Sequence, residues 1–380
     1  MAEHAKRSHK TGSLAVRRAV QLLFLVIVCF IGFRFSQFAG PLEKGMLPVV
    51  DRPPGVEAFL PISALVSLKY YVLTGTLNEI HPSGLVLFLI ICATTLIARK
   101  GFCAWVCPFG LLSEYLAKLH FLIFQQGYRP PHWLDRVLRT GKYLLAAFFI
   151  WSIFLRMPLE SVRGFIYSPY NILADIKMFR FFSDVSMTAL LVVLGLVLLS
   201  VLIRNFWCRY LCPYGALLGV LSILSAGRIH YDRTHCSNCG ECEKHCPGLI
   251  DIRQGKSTYS LECNACLQCV NGCPEKGALK FSLFNSRFSM GSIGVGLSLV
   301  LLFAGGIALA KLNGHWQNQV SRGAYQYHML TQGMVAANGV DGERSKKAKM
   351  ERMIRTMQKM RSEKASRVPG TMMPMNPEDK

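Results

Sequence analysis

Long apolar runs almost free of charge alternate with short charged stretches from residue 19 to residue 310. The runs are apolar on every face rather than on one stripe, which predicts helices surrounded by apolar material. Five of them, about 19–39, 82–98, 141–157, 186–204 and 289–310, reach the roughly 17 residues that a bilayer crossing requires. The apolar stretch 214–227 is only 14 residues long and predicts an interfacial or re-entrant helix instead. Residues 56–77 are apolar but interrupted by Pro61, Lys69 and Gly75. They predict a segment that lies along the outer membrane face or dips into it, packed there or shaping a pocket for a quinone head.

Charge sets the orientation. The first 18 residues carry Lys6, Arg7, Lys10, Arg17 and Arg18, and Arg99, Lys100, Lys118, Arg129, Arg136, Arg139 and Lys142 follow the second run. The stretch between, 40–81, is balanced by Glu43, Asp51, Glu57 and Glu79. By the positive-inside rule the N-terminus and the loops after the second and fourth spans are cytoplasmic. The formal net charge of +21 therefore reads as membrane topology and lipid contact. No nucleic-acid-binding motif accompanies it. The first run ends in Phe33-Arg34-Phe35 without a small-residue cleavage pattern, so it reads as an anchor.

Eight of the fourteen cysteines fall in two runs: Cys236-x2-Cys239-x2-Cys242-x3-Cys246-Pro247 and Cys263-x2-Cys266-x2-Cys269-x3-Cys273-Pro274. This is the spacing of bacterial two-cluster ferredoxins, in which the fourth cysteine of each run ligates the other run's cluster. It assigns one [4Fe-4S] cluster to Cys236, Cys239, Cys242 and Cys273, and the other to Cys263, Cys266, Cys269 and Cys246. Structural zinc needs only two separated pairs, and has no use for a third cysteine repeated twice. Free thiolates need a reducing compartment, which again places this segment in the cytoplasm.

A second cysteine motif is duplicated. Arg99-Lys100-Gly101-Phe102-Cys103-x3-Cys107-Pro108-Phe109-Gly110 returns 105 residues later as Arg204-Asn205-Phe206-Trp207-Cys208-x3-Cys212-Pro213-Tyr214-Gly215. Each copy ends an apolar run, so the repeat predicts a duplicated unit of span, elbow and surface helix. The i, i+4 spacing predicts both sulfurs of an elbow on one helical face, with the proline closing that helix. Four thiols at a membrane surface suit a metal or cluster site, a redox-active dithiol pair or a pocket lining. Cys29 and Cys92 lie inside spans without partners and read as apolar filler.

Paired C-x3-C-P elbows followed by two C-x2-C-x2-C-x3-C-P runs resemble the membrane-bound polyferredoxins. That family includes the quinol-dehydrogenase subunit of periplasmic nitrate reductase systems (NapH), the nitrous-oxide-reductase maturation protein (NosR) and the oxidase assembly factor CcoG. The resemblance covers about residues 15–285. It implies an α-helical integral membrane protein of about five spans with a small α+β ferredoxin-like module holding two [4Fe-4S] clusters. It further implies electron exchange between membrane quinones and a respiratory partner such as a periplasmic cytochrome, reductase or oxidase, in a bacterial inner membrane. The segments expected are a basic N-terminus 1–18, a four-span domain 19–228 with both elbows, the module 229–285, a fifth span 286–310 and a tail 311–380. The nitrous-oxide type has a flavin-attachment domain that is not seen ahead of these spans. The fifth span and tail go beyond the nitrate type, and the tail does not resemble an immunoglobulin-like domain.

The tail holds nine of fifteen methionines. Met350, Met353, Met357 and Met360 fall on one helical face, opposite Arg352, Arg355 and Lys359, which predicts an amphipathic helix. The competing reading is Cu(I) held by thioethers, with Met372, Met373 and Met375 and with His315 or His328. Parity places the tail on the periplasmic side. Two functions follow from the whole pattern: an iron–sulfur electron carrier between quinones and a respiratory partner, or a cupric reductase assembling a metal centre in a terminal oxidase or reductase.

Overall fold

The computed structural model describes residues 2–125, 130–255, 257–275, 277–284 and 287–334, with side chains from residue 14 onward. These residues fall into two compact units. One comprises the described residues of 2–36 and 52–319, and so joins the apolar helices to the cysteine-rich segment; the other comprises 37–51 and 320–334.

Helix α1 (Ala2–Glu43) is followed by a 3-10 turn at Pro54–Phe59, α2 (Pro61–Thr74) and α3 (Pro82–Ala98). The first elbow is built by α4 (Gly101–Trp105) and α5 (Pro108–Phe124). Then come α6 (His132–Trp151), which ends in a π-helical turn at Ser152–Arg156, and the shorter helices α7 (Leu159–Ile166), α8 (Pro169–Ile172) and α9 (Ala174–Ser183). Helix α10 (Met187–Leu202) leads to a second π-helical turn, Trp207–Leu211, and to α11 (Pro213–Leu221). The cysteine runs lie between strands β1 (Gly227–Tyr231) and β2 (Leu279–Leu283) and carry α12 (Glu241–Lys244) and α13 (Gln268–Gly272). β1 pairs antiparallel with β2, Ile229 opposite Phe281, and β2 with the short β3 (Phe288–Ser289). Helix α14 (Ser292–Leu312) returns into the helical layer, and α15 (Arg322–Thr331) completes the described chain.

All five predicted apolar runs are helical, but their lengths differ from expectation. Leu14–Glu43, His132–Arg156 and Ser292–Leu312 are each long and apolar enough to cross a membrane. Helices α9 and α10 together form a fourth candidate, bent by 79°. Helix α3 has 17 residues and is a shorter apolar helix, as is the Pro213–Leu224 segment. Helix α6 begins at His132, well before the predicted 141, because Asp135, Arg136 and Arg139 interrupt the apolar pattern without interrupting the helix. Residues 56–77 form the 3-10 turn and α2, which lies against α3 and is capped at Gly75 in a left-handed conformation. The buried Lys69 of α2 donates to the carbonyls of Ile153 and Phe154 at 2.9 Å, satisfying groups that the π-helical turn leaves open.

The exposure pattern is the reverse of a water-soluble protein's. Helix α10 exposes Leu191, Val192, Leu194 and Leu198 and buries Ser200. Each exposed Leu or Val forgoes roughly 2 kcal/mol of burial in water, so the helix alone would forfeit an amount comparable with a domain's whole stability. A hydrocarbon surround removes that cost.

The cysteine segment sits on the cytoplasmic-predicted end of this layer. One continuous core joins Val20 of α1, Trp105 of the first elbow, Cys263, Cys266 and Cys269, Phe281 of β2, and Val295 and Leu299 of α14. Ala226 N–H donates to the Leu96 carbonyl at 2.8 Å, tying the start of β1 to the end of α3. Gly227 is needed there, since a Cβ would lie 2.2 Å from the Ile97 carbonyl oxygen. At the opposite end of α3, Gln319 N–H donates to the Glu79 carbonyl at 3.1 Å. Residues 311–319 therefore begin the tail at the end of the layer remote from the cysteines. Within the other unit, Arg322 pairs with Asp51 and Phe38 meets Tyr325 edge-on at 5.3 Å. Met350, Met353, Met357, Met360, Met372, Met373 and Met375 lie outside the described residues.

Candidate iron–sulfur and elbow-cysteine site

The two ferredoxin-type loops are built alike. Asn238 and Gly240 in the first, and Ala265 and Leu267 in the second, all take left-handed backbone conformations with φ between 46° and 72°. They occupy the same places, two residues after the first cysteine and one after the second. Left-handed residues curl successive N–H groups inward, making a concave nest for an anion. Asn238 N–H lies 3.3 Å from the Cys236 sulfur. Backbone N–H groups of Gln268 and Val270 favour the thiolates of Cys266 and Cys269, and those of Gly248 and Ile250 the thiolate of Cys246, against the larger effect of burial.

The folded chain brings the sulfurs together crosswise. Cys273 interacts electrostatically with Cys236, Cys239 and Cys242. Cys246 does so with Cys263, Cys266 and Cys269. The second group is buried throughout, and its four cysteines border one small cavity with Ile229, Ile250 and Ile252. The first group is more open: Cys239 is exposed, and Cys236 and Cys273 are half-buried. Burial pushes the Cys246 thiol up to about 12 and Cys269 well above its ordinary value. Among the described residues, no three His, Cys, Asp or Glu side chains gather around a single ion-sized point.

The elbows differ from the expected shared helical face. Cys103 lies in α4 and Cys208 in the π-helical turn, but Cys107 and Cys212 are the N-caps of the following helices. Pro108 and Pro213 take the first position of α5 and α11, where a missing N–H costs nothing. They start the next helix rather than closing the last. The chain breaks between the two cysteines of each elbow, and Gly110 permits the sharp return: a Cβ there would meet the Cys103 carbonyl oxygen at 1.9 Å.

All four elbow cysteines nevertheless border one cavity. Cys103 is influenced by Cys107, Cys212 and Cys208, and Cys208 by Cys107 and Cys212. Burial raises Cys107 to about 11 and Cys208 to about 12. They line a cavity of ≈ 1270 Å³ whose walls include Phe24, Leu87, Phe102 and Phe303, and which also reaches Cys266 of the buried group. Cys29 and Cys92 take no part in it. His315 and His328 join no metal-sized group among the described residues.

Both elbows grip the buried sulfur group. Trp105, fully buried, donates from Nε1 to the Ala265 carbonyl at 3.0 Å. Asn205 donates to the Pro247 carbonyl at 3.1 Å and Arg209 to the Gly248 carbonyl at 2.5 Å. Arg209 is held in turn by Asp135 of α6, at 2.7 and 2.8 Å. The acid beside the second run, Glu262, receives Lys100 at 2.9 Å, Lys142 at 2.8 Å and the Tyr143 hydroxyl at 2.9 Å. The lysines hold its carboxyl far below the usual range, against the opposing effect of burial. Sequence reading missed this bridge; Glu262 next to Cys263 and Lys142 at the edge of an apolar run were its signals. At the other end of α3, a buried cluster joins Arg52 to Glu57 at 2.6 Å and to Asp175 at 2.5 Å, with His81 beside it. Nothing in the sequence pattern links those residues.

A family described as a 4Fe-4S binding domain matches twice, at residues 80–126 and 185–231, one match over each elbow. A 4Fe-4S dicluster domain matches residues 228–287. YccM of Escherichia coli, which carries the name of an electron transport protein, is 37% identical over 316 residues, covering 82% of this chain and 88% of that one. The ferredoxin-type protein NapH of Haemophilus influenzae is 31% identical over 260 residues, 65% of this chain and 79% of its own. The methylamine utilization ferredoxin-type protein MauN of Methylorubrum extorquens is 28% identical over 250 residues, 63% and 76%. No solved structure matches. With its duplicated elbow unit, its dicluster segment and relatives of this kind, the chain belongs to the membrane-bound polyferredoxin family.

Proposed function

We propose that the protein carries electrons between a membrane quinone pool and a respiratory partner through two [4Fe-4S] clusters. The observation that carries this reading is the pair of complete four-thiol groups, one buried against the helical layer and one opening to the surface. Cys236, Cys239, Cys242 and Cys273 would hold one cluster, and Cys263, Cys266, Cys269 and Cys246 the other. The donor set fits: thiolate-only groups of four, each nested among backbone N–H groups. When bound, such clusters supply reversible one-electron chemistry.

The chain's own residues would position and tune that chemistry. N–H groups at Cys246, Cys266 and Cys269 favour the more negative reduced state and so raise its potential. Exclusion of water from the buried group acts the opposite way, because charge is costly there. The large apolar cavity suits an isoprenoid quinone, a class whose head exchanges two electrons and two protons. Basic N-terminal and loop residues orient the cysteine segment toward the cytoplasm of a bacterial inner membrane, with five crossings if α3 and α10 both traverse.

The test is reduction of the full-length protein in liposomes by ubiquinol and menaquinol analogues, followed by EPR. Both clusters gain an electron from at least one quinol, each quinol yielding two electrons and two protons. Clusters that accept electrons from dithionite but from no quinol would remove the quinone from the account.

A further inference from the structure

We propose that Glu114, paired with Arg17, accepts the protons of a quinol whose head lies at the cysteine-bearing end of the large cavity. This rests on the quinone reading above, and goes beyond it in placing the head and the exit of its protons. Three observations carry it.

The first is the polarity of the cavity from end to end. Gly84 N–H donates to the Glu57 carboxylate at 2.6 Å, which fixes the Pro54–Phe59 turn beside the start of α3. The cavity wall there is formed by the uncharged Ile31, Gly55, Ala58, Phe59 and Pro61. Leu87 and Ile91 of α3 continue it toward the elbows. At the other end of α3, whose 17 residues rise about 25 Å, the wall holds Arg17, Lys100, Glu114, Lys118 and Cys266. An apolar isoprenoid tail with a polar ring fits this gradient in one sense only, tail toward Pro61 and ring toward Cys266.

The second is the choice of carboxylate. Among the described residues Glu114, Glu241 and Glu262 border the cavity. Glu262 is already engaged by Lys100, Lys142 and the Tyr143 hydroxyl. Glu241 pairs with Lys244 at 2.8 Å at the surface, beside the half-exposed His245. Glu114 stands on α5, between the two extremes, its side chain 24% exposed. Arg17 and Gln21 donate to it, the latter at 3.3 Å, and Lys118 lies 3.9 Å away. It is thus held toward the cavity with water within reach.

The third is the neighbourhood. Arg17 and Gln21 also donate to the Ala104 carbonyl, at 3.2 and 2.9 Å, which fixes α1 against the first elbow. The Gln268 amide, two residues after Cys266, meets the same pair, its oxygen accepting from Arg17 at 2.7 Å. Carboxylate, elbow and buried sulfur group therefore share one end of the cavity.

The step balances. A quinol that breaks its two O–H bonds leaves as the quinone and releases two electrons and two protons. The electrons pass one to each of the two clusters of the proposed function. The protons pass in turn to the Glu114 carboxylate and from it to water at the mouth of the cavity. Arg17 and Lys118, beside that carboxylate, stabilise the negative charge that develops on the quinol oxygen. Protons and electrons leave on the same side, that of the cysteine segment, so this step moves no net charge across the bilayer.

The experiment uses the full chain in liposomes with ubiquinol and menaquinol analogues, and compares wild type, Glu114→Gln and Glu114→Asp. Glu114→Gln is expected to slow cluster reduction by quinol roughly 100-fold, with iron content and reduction by dithionite unchanged, and Glu114→Asp to recover part of the rate. Equal quinol rates in wild type and Glu114→Gln overturn the proposal and leave the quinone reading standing. A parallel loss of dithionite reduction assigns Glu114 a structural role and also overturns it. Wild type that no quinol reduces removes both. If Glu114→Gln does not fold, photolysis of a ring-azido quinone bound to the wild type decides. Cross-links within Pro108–Phe124 are expected; cross-links confined to residues 55–61, or none, overturn the proposal.

Discussion

The two ferredoxin-type sulfur groups share spacing, loop conformation and ligand type, yet they live in different surroundings. Cys246, Cys263, Cys266 and Cys269 are all buried, and both membrane elbows reach them. In the other group Cys239 is exposed, and its neighbourhood is held by surface pairs such as Arg253 with Glu243 at 2.7 Å. Identical motifs thus acquire different roles from what packs around them. The inner group is part of the core that joins the segment to the helices, while the outer group opens to the surface. A duplicated ligand pattern sets the chemistry; burial divides the labour.

Removing a thiolate should expose this difference most strongly. Cys266→Ser is expected to lose about four irons and to unfold the core around Trp105 and Phe281, since cluster binding there is also folding free energy. Cys239→Ser should lose a similar amount of iron with a much smaller fall in the thermal midpoint. Equal falls for the two variants, measured by calorimetry in detergent, would erase the distinction.

Glu262→Gln comes next. It leaves Lys100 and Lys142 buried without their carboxylate, a loss of about 3 kcal/mol by analogy with broken buried pairs. The inner cluster's EPR line should broaden while the outer one keeps its shape; a chemical denaturation midpoint that does not move would argue against the bridge. Trp105→Phe removes one buried hydrogen bond and strands the Ala265 carbonyl, for about 1–2 kcal/mol. Its spectroscopic effect should again be confined to the inner group. Smallest is Arg253→Ala, on the open side. It should shift the outer cluster's potential slightly in a redox titration and leave the thermal midpoint where it was.

How legible this was in the sequence depended on the range of the interaction. The eight thiols stood out because ligand spacing within a run is local covalent geometry, and their crosswise assignment rests on that spacing. The apolar runs announced every helix that contains them. The start of α6 was hidden because Asp135 breaks the apolar pattern, and its reason for being there, Arg209, lies 74 residues away. Ala265 and Leu267 gave no hint of left-handed backbone, since neither is a residue type that favours it. The i, i+4 reading of the elbows failed because it assumed a continuous helix; proline at a first helical position fits a new start equally well. Lys100 and Glu262 are 162 residues apart, and only the fold could pair them.

The central claim is that the fourth cysteine of each run serves the opposite group. It is tested most directly by EPR and iron counting on four single variants, Cys242→Ser, Cys273→Ser, Cys266→Ser and Cys246→Ser. The account predicts that Cys246→Ser disturbs the same signal as Cys266→Ser, and Cys273→Ser the same signal as Cys242→Ser. If Cys246→Ser instead reproduces Cys242→Ser, each run closes its own cluster and the crosswise arrangement is contradicted.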